Sequence, residues 1–205
     1  MREIDIRRAA NTLPAPPAAL LETLSKRAGA EGLVDISYAE MDSPLGTLVL
    51  AVTDHGLLRV SYADSNETAL ADLARRVSPR ILRRPAETDT ARRQLDEYFS
   101  GHRRDFDVPL DWTLIQGFGR RVLEATVAIP FGQVSTYRDV ATEAGNPRAS
   151  RATGNALGAN PIPIIIPCHR VLRTGGGFGG YTGGLHRKAL LLALEGSGQG
   201  RLPDL

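Results

Sequence analysis

One cysteine occurs in 205 residues, Cys168, and His169 and Arg170 follow it directly. A thiol becomes a nucleophile when its thiolate is stabilised, and an imidazole and a guanidinium alongside are groups that can do so. A neutral imidazole can also relay the thiol proton, provided a partner fixes its tautomer and answers its charge. Glu195, at the end of a helical pattern running from Leu185 to Leu194, is the candidate partner. Plainer readings stand beside these: a lone cysteine is most often a small buried hydrophobe, and a carboxylate at a helix end is most often solvated. A single cysteine builds neither an intramolecular disulfide framework nor a thiolate-rich zinc site, so neither is expected.

A second chemical pattern lies upstream. In Pro147–Leu157 the residues Ala149, Ser150, Ala152, Gly154 and Ala156 keep the surface low, and Arg148 and Arg151 are the long polar side chains. A smooth helix carrying one long cation can lie against a shallow groove and send that cation between base pairs. The commoner use of such small residues is tight helix packing. Downstream, Gly175–Gly184 contains seven glycines with Phe178, Tyr181 and Thr182. It lacks the lysine and hydroxyl ending of a phosphate-binding loop. It reads instead as a close-approach wall, where Gly179 and Gly183 let a planar ligand slide in and Tyr181 lies over it.

The elements that must position these groups follow from periodicity. After Leu13-Pro14-Ala15-Pro16-Pro17, whose prolines stop any helix, Leu20, Leu21 and Leu24 predict a short docking helix, so residues 1–30 read as an arm plus that helix. Leu33–Ala39, Thr47–Val52 and Leu57–Tyr62 have strand character, with Asp54-His55-Gly56 as a hairpin turn, and predict an antiparallel sheet. Leu70, Leu73, Ala74 and Val77, then Ala91, Leu95, Tyr98 and Phe99, form helical stripes that cover it. Residues 31–111 are therefore an α+β domain, with Arg103–Asp111 as a connection. Residues 112–196 form a mostly helical domain, and residues 197–205 a tail. There Ile115, Phe118, Val122 and Ala125 share one helix face, ended by Pro130 and Gly132. Thr136 and Asp139 are spaced as a capping box, Gly145 suits a left-handed helix end, and Asn146-Pro147 suits the start of the next helix. Two helices so joined make a helix-turn-helix, a motif of DNA binding and also of inert bundles. The prolines and isoleucines of Asn160–Pro167 predict a stiff extended arm delivering Cys168.

Charge supports the division. Residues 1–111 hold 15 basic and 18 acidic side chains, and residues 112–205 hold 10 and 5, so the C-terminal part alone is +5 in a chain of net +2. A basic module in a nearly neutral chain suits a phosphate-lined partner, or simply a solubilising surface. No apolar run approaches a membrane span, and MREIDIRRAA has no apolar core for a secretory signal, which places the chain in the cytoplasm with no membrane partner.

Pro167-Cys168-His169-Arg170-Val171, preceded by Gly158–Pro163 and followed by Gly179-Gly180-Tyr181-Thr182-Gly183-Gly184-Leu185, closely resembles the active-site region of the O6-alkylguanine-DNA alkyltransferases. Ser43-Pro44-Leu45-Gly46 and Gln94–Gly101 resemble that family's N-terminal domain, less specifically. The resemblance runs from about Val34 to Gly196. It implies a ribonuclease H-like sheet domain followed by the helix-turn-helix domain. It implies a repair protein that binds duplex DNA from the minor groove, flips an O6-alkylguanine out of the stack and moves the alkyl group irreversibly onto Cys168. Arg151 would fill the space left by the base, with Ser150, Ala149, Arg148 and Gly154 on the same DNA-facing helix. Tyr137 would donate to purine N3. His169, through a water held with Glu195, would draw off the thiol proton, and Asn160 would brace the turn. The carbonyls of Cys168 and Val171 would accept from the guanine amine, Thr182 would donate toward O6, and Tyr181 and Pro163 would wall the pocket, with Gly179 and Gly183 in the same loop. No cofactor is needed. The protein would be a monomer free in solution, with cooperativity on DNA left open.

Relatives with an N-terminal zinc site use cysteines that this chain lacks, so no metal is expected, and lesion-flagging relatives without chemistry have another residue where Cys168 stands. Three rivals remain at this level: a lesion-binding module, a cysteine hydrolase using Cys168, His169 and Glu195, and a sequence-specific helix-turn-helix regulator.

Overall fold

The computed structural model describes residues 17–197. The arm expected over residues 1–16 and the tail from residue 198 lie outside them. The chain forms two compact units, one ending at Val34 and the other beginning at Asp35. In the first, helix α1 (Ala18–Ala30) starts directly after Pro17, as the proline-stopped pattern predicts, with Leu20, Leu21 and Leu24 exposed.

The second unit contains a four-stranded sheet of β1 (Ile36–Met41), β2 (Leu48–Thr53), β3 (Gly56–Tyr62) and β4 (Ile81–Arg83), in the order β3-β2-β1-β4. The first three strands pair antiparallel, with Ala39 opposite Leu50 and Leu50 opposite Val60. The antiparallel sheet read from these three strands is thus present, and a fourth strand that the sequence did not reveal, β4, adds in parallel, Ile36 facing Ile81. A three-residue strand is too short to show period-two alternation, and its pairing comes from the partner edge rather than from its own pattern. The first strand also begins later than expected, and Leu33 is exposed.

Both sheet faces are covered. Ile36, Ala51 and Leu58 pack against Leu73 of α2 (Asn66–Arg76). Leu48, Leu50, Val60 and Tyr62 face a larger core shared with Leu95 and Tyr98 of α3 (Asp89–Phe99) and with the C-terminal helices. Each fully buried leucine contributes about 1.5–3 kcal/mol relative to exposure. The sheet and the site below therefore share one core. The stretch expected to be only a connection takes part, since Leu57 pairs with Leu110 beside β3.

In the helical region α4 (Gly117–Val127) buries Val122, Leu123 and Thr126. α5 (Tyr137–Glu143) opens with the capping box read from Thr136 and Asp139 and ends before Gly145, which has φ +82°. α6 (Ser150–Gly158) is the second helix of the pair. It starts three residues later than Pro147 predicts. The Asn146 side chain accepts from the Arg148 amide and so closes a turn around Pro147 before the helix begins. A final helix, α7 (Leu185–Leu194), delivers Glu195 at its C-terminal cap.

Candidate active site

Asn160–Pro167 is fully buried and is not the extended arm that its prolines suggest. It doubles back, with the Ile166 amide donating to Ile162 O at 2.9 Å and Ile164 held at φ +77°. A β-branched residue in that conformation is strained and persists only where its surroundings over-determine it. Asn160 supplies that constraint. Its Oδ1 accepts from the Ile162 amide at 3.0 Å, and its Nδ2 donates to Ile166 O at 2.9 Å and to Cys168 Sγ at 3.2 Å. One amide side chain thus satisfies the buried turn and bonds the sulfur.

Cys168, His169 and Arg170 form one short helical turn. Neither the imidazole nor the guanidinium is bonded to the sulfur that they follow in sequence. Both neighbours point to Glu195: His169 Nε2 bonds Oε1 at 2.9 Å, while Arg170 Nε reaches Oε2 at 2.8 Å and Nη2 reaches Oε1 at 2.9 Å. Tyr98 on α3 adds its hydroxyl to Oε1 at 2.7 Å. Burial works to raise the Glu195 carboxyl, but these donors hold it at about 2. Burial lowers His169 against the pull of Glu195, so the imidazole is neutral near pH 7. Because the carboxylate can only accept, Nε2 carries the ring proton and Nδ1 is the basic nitrogen. Nδ1 has no hydrogen-bond partner among the described residues. Burial pushes the Cys168 thiol up to about 11 against the bond from Asn160 and the charge of Lys188. At rest the sulfur is protonated, and the residue that follows it carries a neutral imidazole with an unbonded basic nitrogen.

In front lies a cleft of about 700 Å³ lined by Tyr137, Ser150, Arg151 and Gly154 on one side and by Gly179, Tyr181 and Thr182 on the other. Arg151 is exposed. Tyr137, the first residue of α5, is half-buried, and burial raises its hydroxyl above the ordinary tyrosine value. A Cβ on Gly179 would meet that hydroxyl at 2.4 Å, so the loop can approach only as glycine. Cys168 itself is 5 % exposed and does not line the cleft. Tyr181 and Tyr137, one on each side of the cleft, are both near enough to feel the charge of Cys168.

The other residues read from the sequence are placed differently. Arg148 and Ala149 precede α6, with Arg148 exposed and neither lining the cleft. Pro163 and Gly183 line a separate groove with Asn160, and Thr182 touches both spaces. The Thr182 hydroxyl donates to Gly158 O at 2.7 Å, so a donor role toward a ligand would require that bond to be exchanged. Val171 is buried and its carbonyl already accepts from Lys188 Nζ at 2.6 Å. Lys188, fully buried, also bonds Phe178 O, and burial lowers it to about 8. Sequence reading missed Lys188 and Tyr98 as site residues. Tyr98 looks like core on an apolar stripe, while Lys188 left one faint signal as one of two lysines among 25 basic residues. Among the described residues no three His, Cys, Asp or Glu side chains converge as a metal would need. No helix there is long and apolar enough to cross a membrane.

Comparison with known proteins agrees with this arrangement. Residues 36–112 match the family described as 6-O-methylguanine DNA methyltransferase, ribonuclease-like domain, and residues 117–197 match its DNA binding domain. A methylated-DNA–protein-cysteine methyltransferase of Mycolicibacterium paratuberculosis is 40% identical over 166 residues, covering 78% of this chain and 92% of its own. The human protein of that name is 38% identical over 174 residues, covering 82% and 84%. The crystal structure of Mycobacterium tuberculosis OGT in complex with DNA superposes with a TM-score of 0.68 at 38% identity, over 78% of this chain and 93% of that one. With both halves of the fold matched and the thiol, imidazole and carboxylate assembled at one place, the chain belongs to the methylated-DNA–protein-cysteine methyltransferase family.

Proposed function

We propose that the protein repairs duplex DNA by taking the alkyl group of an O6-alkylguanine onto Cys168, once per molecule. The observation that carries this reading is the neutral His169, oriented by Glu195 with Nδ1 unbonded, next to the sole cysteine of the chain. The relatives support it too, since they are named for transfer from methylated DNA to a protein cysteine and one is solved with DNA.

In this reading α6 enters the minor groove. Arg151 occupies the gap in the stack while the damaged base turns into the cleft, at an unstacking cost of a few kcal/mol that is lower for a weakened pair. Ser150, Ala149 and Gly154 allow the close approach, and Arg148 meets a phosphate. Tyr181 flanks the base, Pro163 bounds the adjoining groove that Thr182 also touches, and the carbonyls of Cys168 and Val171 take the amine protons. Sγ then attacks the alkyl carbon, forming S–C as C–O6 breaks. The thiol proton leaves toward His169 Nδ1 through a bridging water, and Glu195 stabilises the imidazolium. Guanine departs as an anion, so donors toward N3 from Tyr137 and toward O6 from Thr182 stabilise charge as it develops. A thiol pushed up to about 11 suits this sequence, because the proton is held until base and substrate are both in place. The product thioether has no leaving group that nearby water or thiols can displace, so the site does not regenerate. No cofactor takes part, and one protein molecule suffices for one lesion.

The test is to incubate the protein with a duplex containing O6-methylguanine and weigh it. A single methyl on the Cys168 peptide, saturating at one equivalent, is the expected result. Tight binding with unchanged mass overturns the reading in favour of a lesion binder. Repeated turnover of an ester or amide would favour a hydrolase instead.

A further inference from the structure

The loop from Arg173 to Gly184 has little shape of its own. Gly175, Gly176, Gly179 and Gly184 all have positive φ, and such a chain loses much conformational freedom when it is fixed. Its position depends on what grips it. One grip comes from the sheet: Tyr62, the last residue of β3, is 6 % exposed and its hydroxyl lies 3.1 Å from that of Tyr181. The fit around that pair is close. A Cβ on Gly183 would fall 2.5 Å from the Tyr62 ring and 2.8 Å from the Tyr181 ring. Arg187 of α7 closes the cluster, its guanidinium 4.0 Å from the Tyr62 ring centre, with bonds to Leu45 O at 3.0 Å and Gly183 O at 3.1 Å.

We infer that Tyr62 is a positioning residue for alkyl transfer: through its hydroxyl contact with Tyr181 and its ring against Gly183, the sheet holds the glycine-rich wall of the cleft. This rests on the reading of Cys168 as alkyl acceptor and names the part of the molecule that preorganises its site. Fixing a glycine-rich wall before the substrate arrives removes that ordering cost from the reaction, so loosening it slows transfer to free base and duplex alike.

The experiment uses the full chain and the variants Tyr62→Phe, Tyr181→Phe and their double. Tyr62→Phe keeps the ring and removes only the hydroxyl. Its reaction with O6-benzylguanine, followed by mass, should slow about fivefold, the size of effect one modest hydrogen bond produces. The double variant should be no slower than Tyr181→Phe alone, and the melting temperature should stay near that of the parent. A purely structural contact would leave the rates unmoved. A second readout does not depend on activity: amide exchange at residues 178–184 should quicken in Tyr62→Phe while the helices are unaffected. Parental rates, additive losses or unchanged loop exchange would each overturn the inference. A parent that takes no alkyl group overturns the function instead, and loop exchange then still decides whether Tyr62 holds the wall.

Discussion

The space behind Cys168 and the cleft in front of it are built on opposite principles. Behind, Glu195 receives four donors from three residues, His169 is fully buried, and Arg170 also bonds Ile129 O and lies over the Phe131 ring. In front, Arg151 is exposed on a helix of small residues and the facing loop is largely glycine. The rear region uses burial and four donated hydrogen bonds to fix one carboxylate and, through it, one imidazole, leaving its Nδ1 unbonded. The front region leaves the Arg151 guanidinium exposed and ties down few of its other polar groups, such as the Thr182 hydroxyl on Gly158 O. A base is preorganised where no partner enters, and adaptability is kept where one must.

The largest separation of the two comes from the sulfur itself. Cys168→Ala should abolish mass gain on O6-methylguanine duplex while leaving duplex binding close to the parental affinity, as gel shift and mass spectrometry together would show. If binding fell with transfer, the thiol would be part of the front region and the contrast would break.

Glu195→Gln comes next and probes the rear alone. It leaves the buried Arg170 without its countercharge, which costs about 3–5 kcal/mol and should lower the urea midpoint accordingly. The acid limb gives a sharper sign. A carboxyl held at about 2 against an ordinary 4.5 contributes stability that is present above pH 4.5 and lost as pH falls toward 2. His169, lowered by burial, adds in the same direction as pH falls below its ordinary 6.5. In Glu195→Gln the decline below pH 4.5 should flatten, and an unchanged acid limb would show that the hub is not what resists protonation.

Arg151→Ala probes the front. Reaction with O6-methylguanine duplex should fall about tenfold or more, the scale of losing one stacked cation on DNA, while reaction with free O6-benzylguanine stays within about twofold. Equal losses on both substrates would place Arg151 in the chemistry rather than in the extrusion of the base.

The two regions were also unequally legible in the sequence. The thiol and imidazole could be named because they are covalent neighbours, and the carboxylate because it ends a helical pattern, although it meets the imidazole only through tertiary packing across 26 residues. Their geometry could not. That Arg170 would face Glu195 rather than the sulfur depends on Tyr98 arriving from a helix 97 residues away from Glu195 in sequence. The proline-rich segment misled for a related reason: prolines fix their own φ, but the turn at Ile164 is imposed by Asn160. β4 was invisible because three residues have no period. The capping box of α5 was readable to the residue, since both partners of that bond lie three positions apart.

Gly154 offers the smallest and most diagnostic effect. It lies inside α6, where glycine weakens a helix by about 0.5–1 kcal/mol relative to alanine. A Cβ there would meet only the Tyr137 ring at 3.7 Å, an ordinary contact. Gly154→Ala should therefore raise the melting temperature by a few degrees, since about 1 kcal/mol moves a domain of this size by roughly 2–4 °C. The same methyl projects into the cleft that the front region keeps open. Duplex reaction should consequently slow about two- to threefold while the stability rises, the opposite trend to Glu195→Gln, where stability falls first. If Gly154→Ala gained stability and kept its full rate on duplex, the small residues of α6 would serve helix packing alone, and the low surface could no longer be read as fitted to a groove.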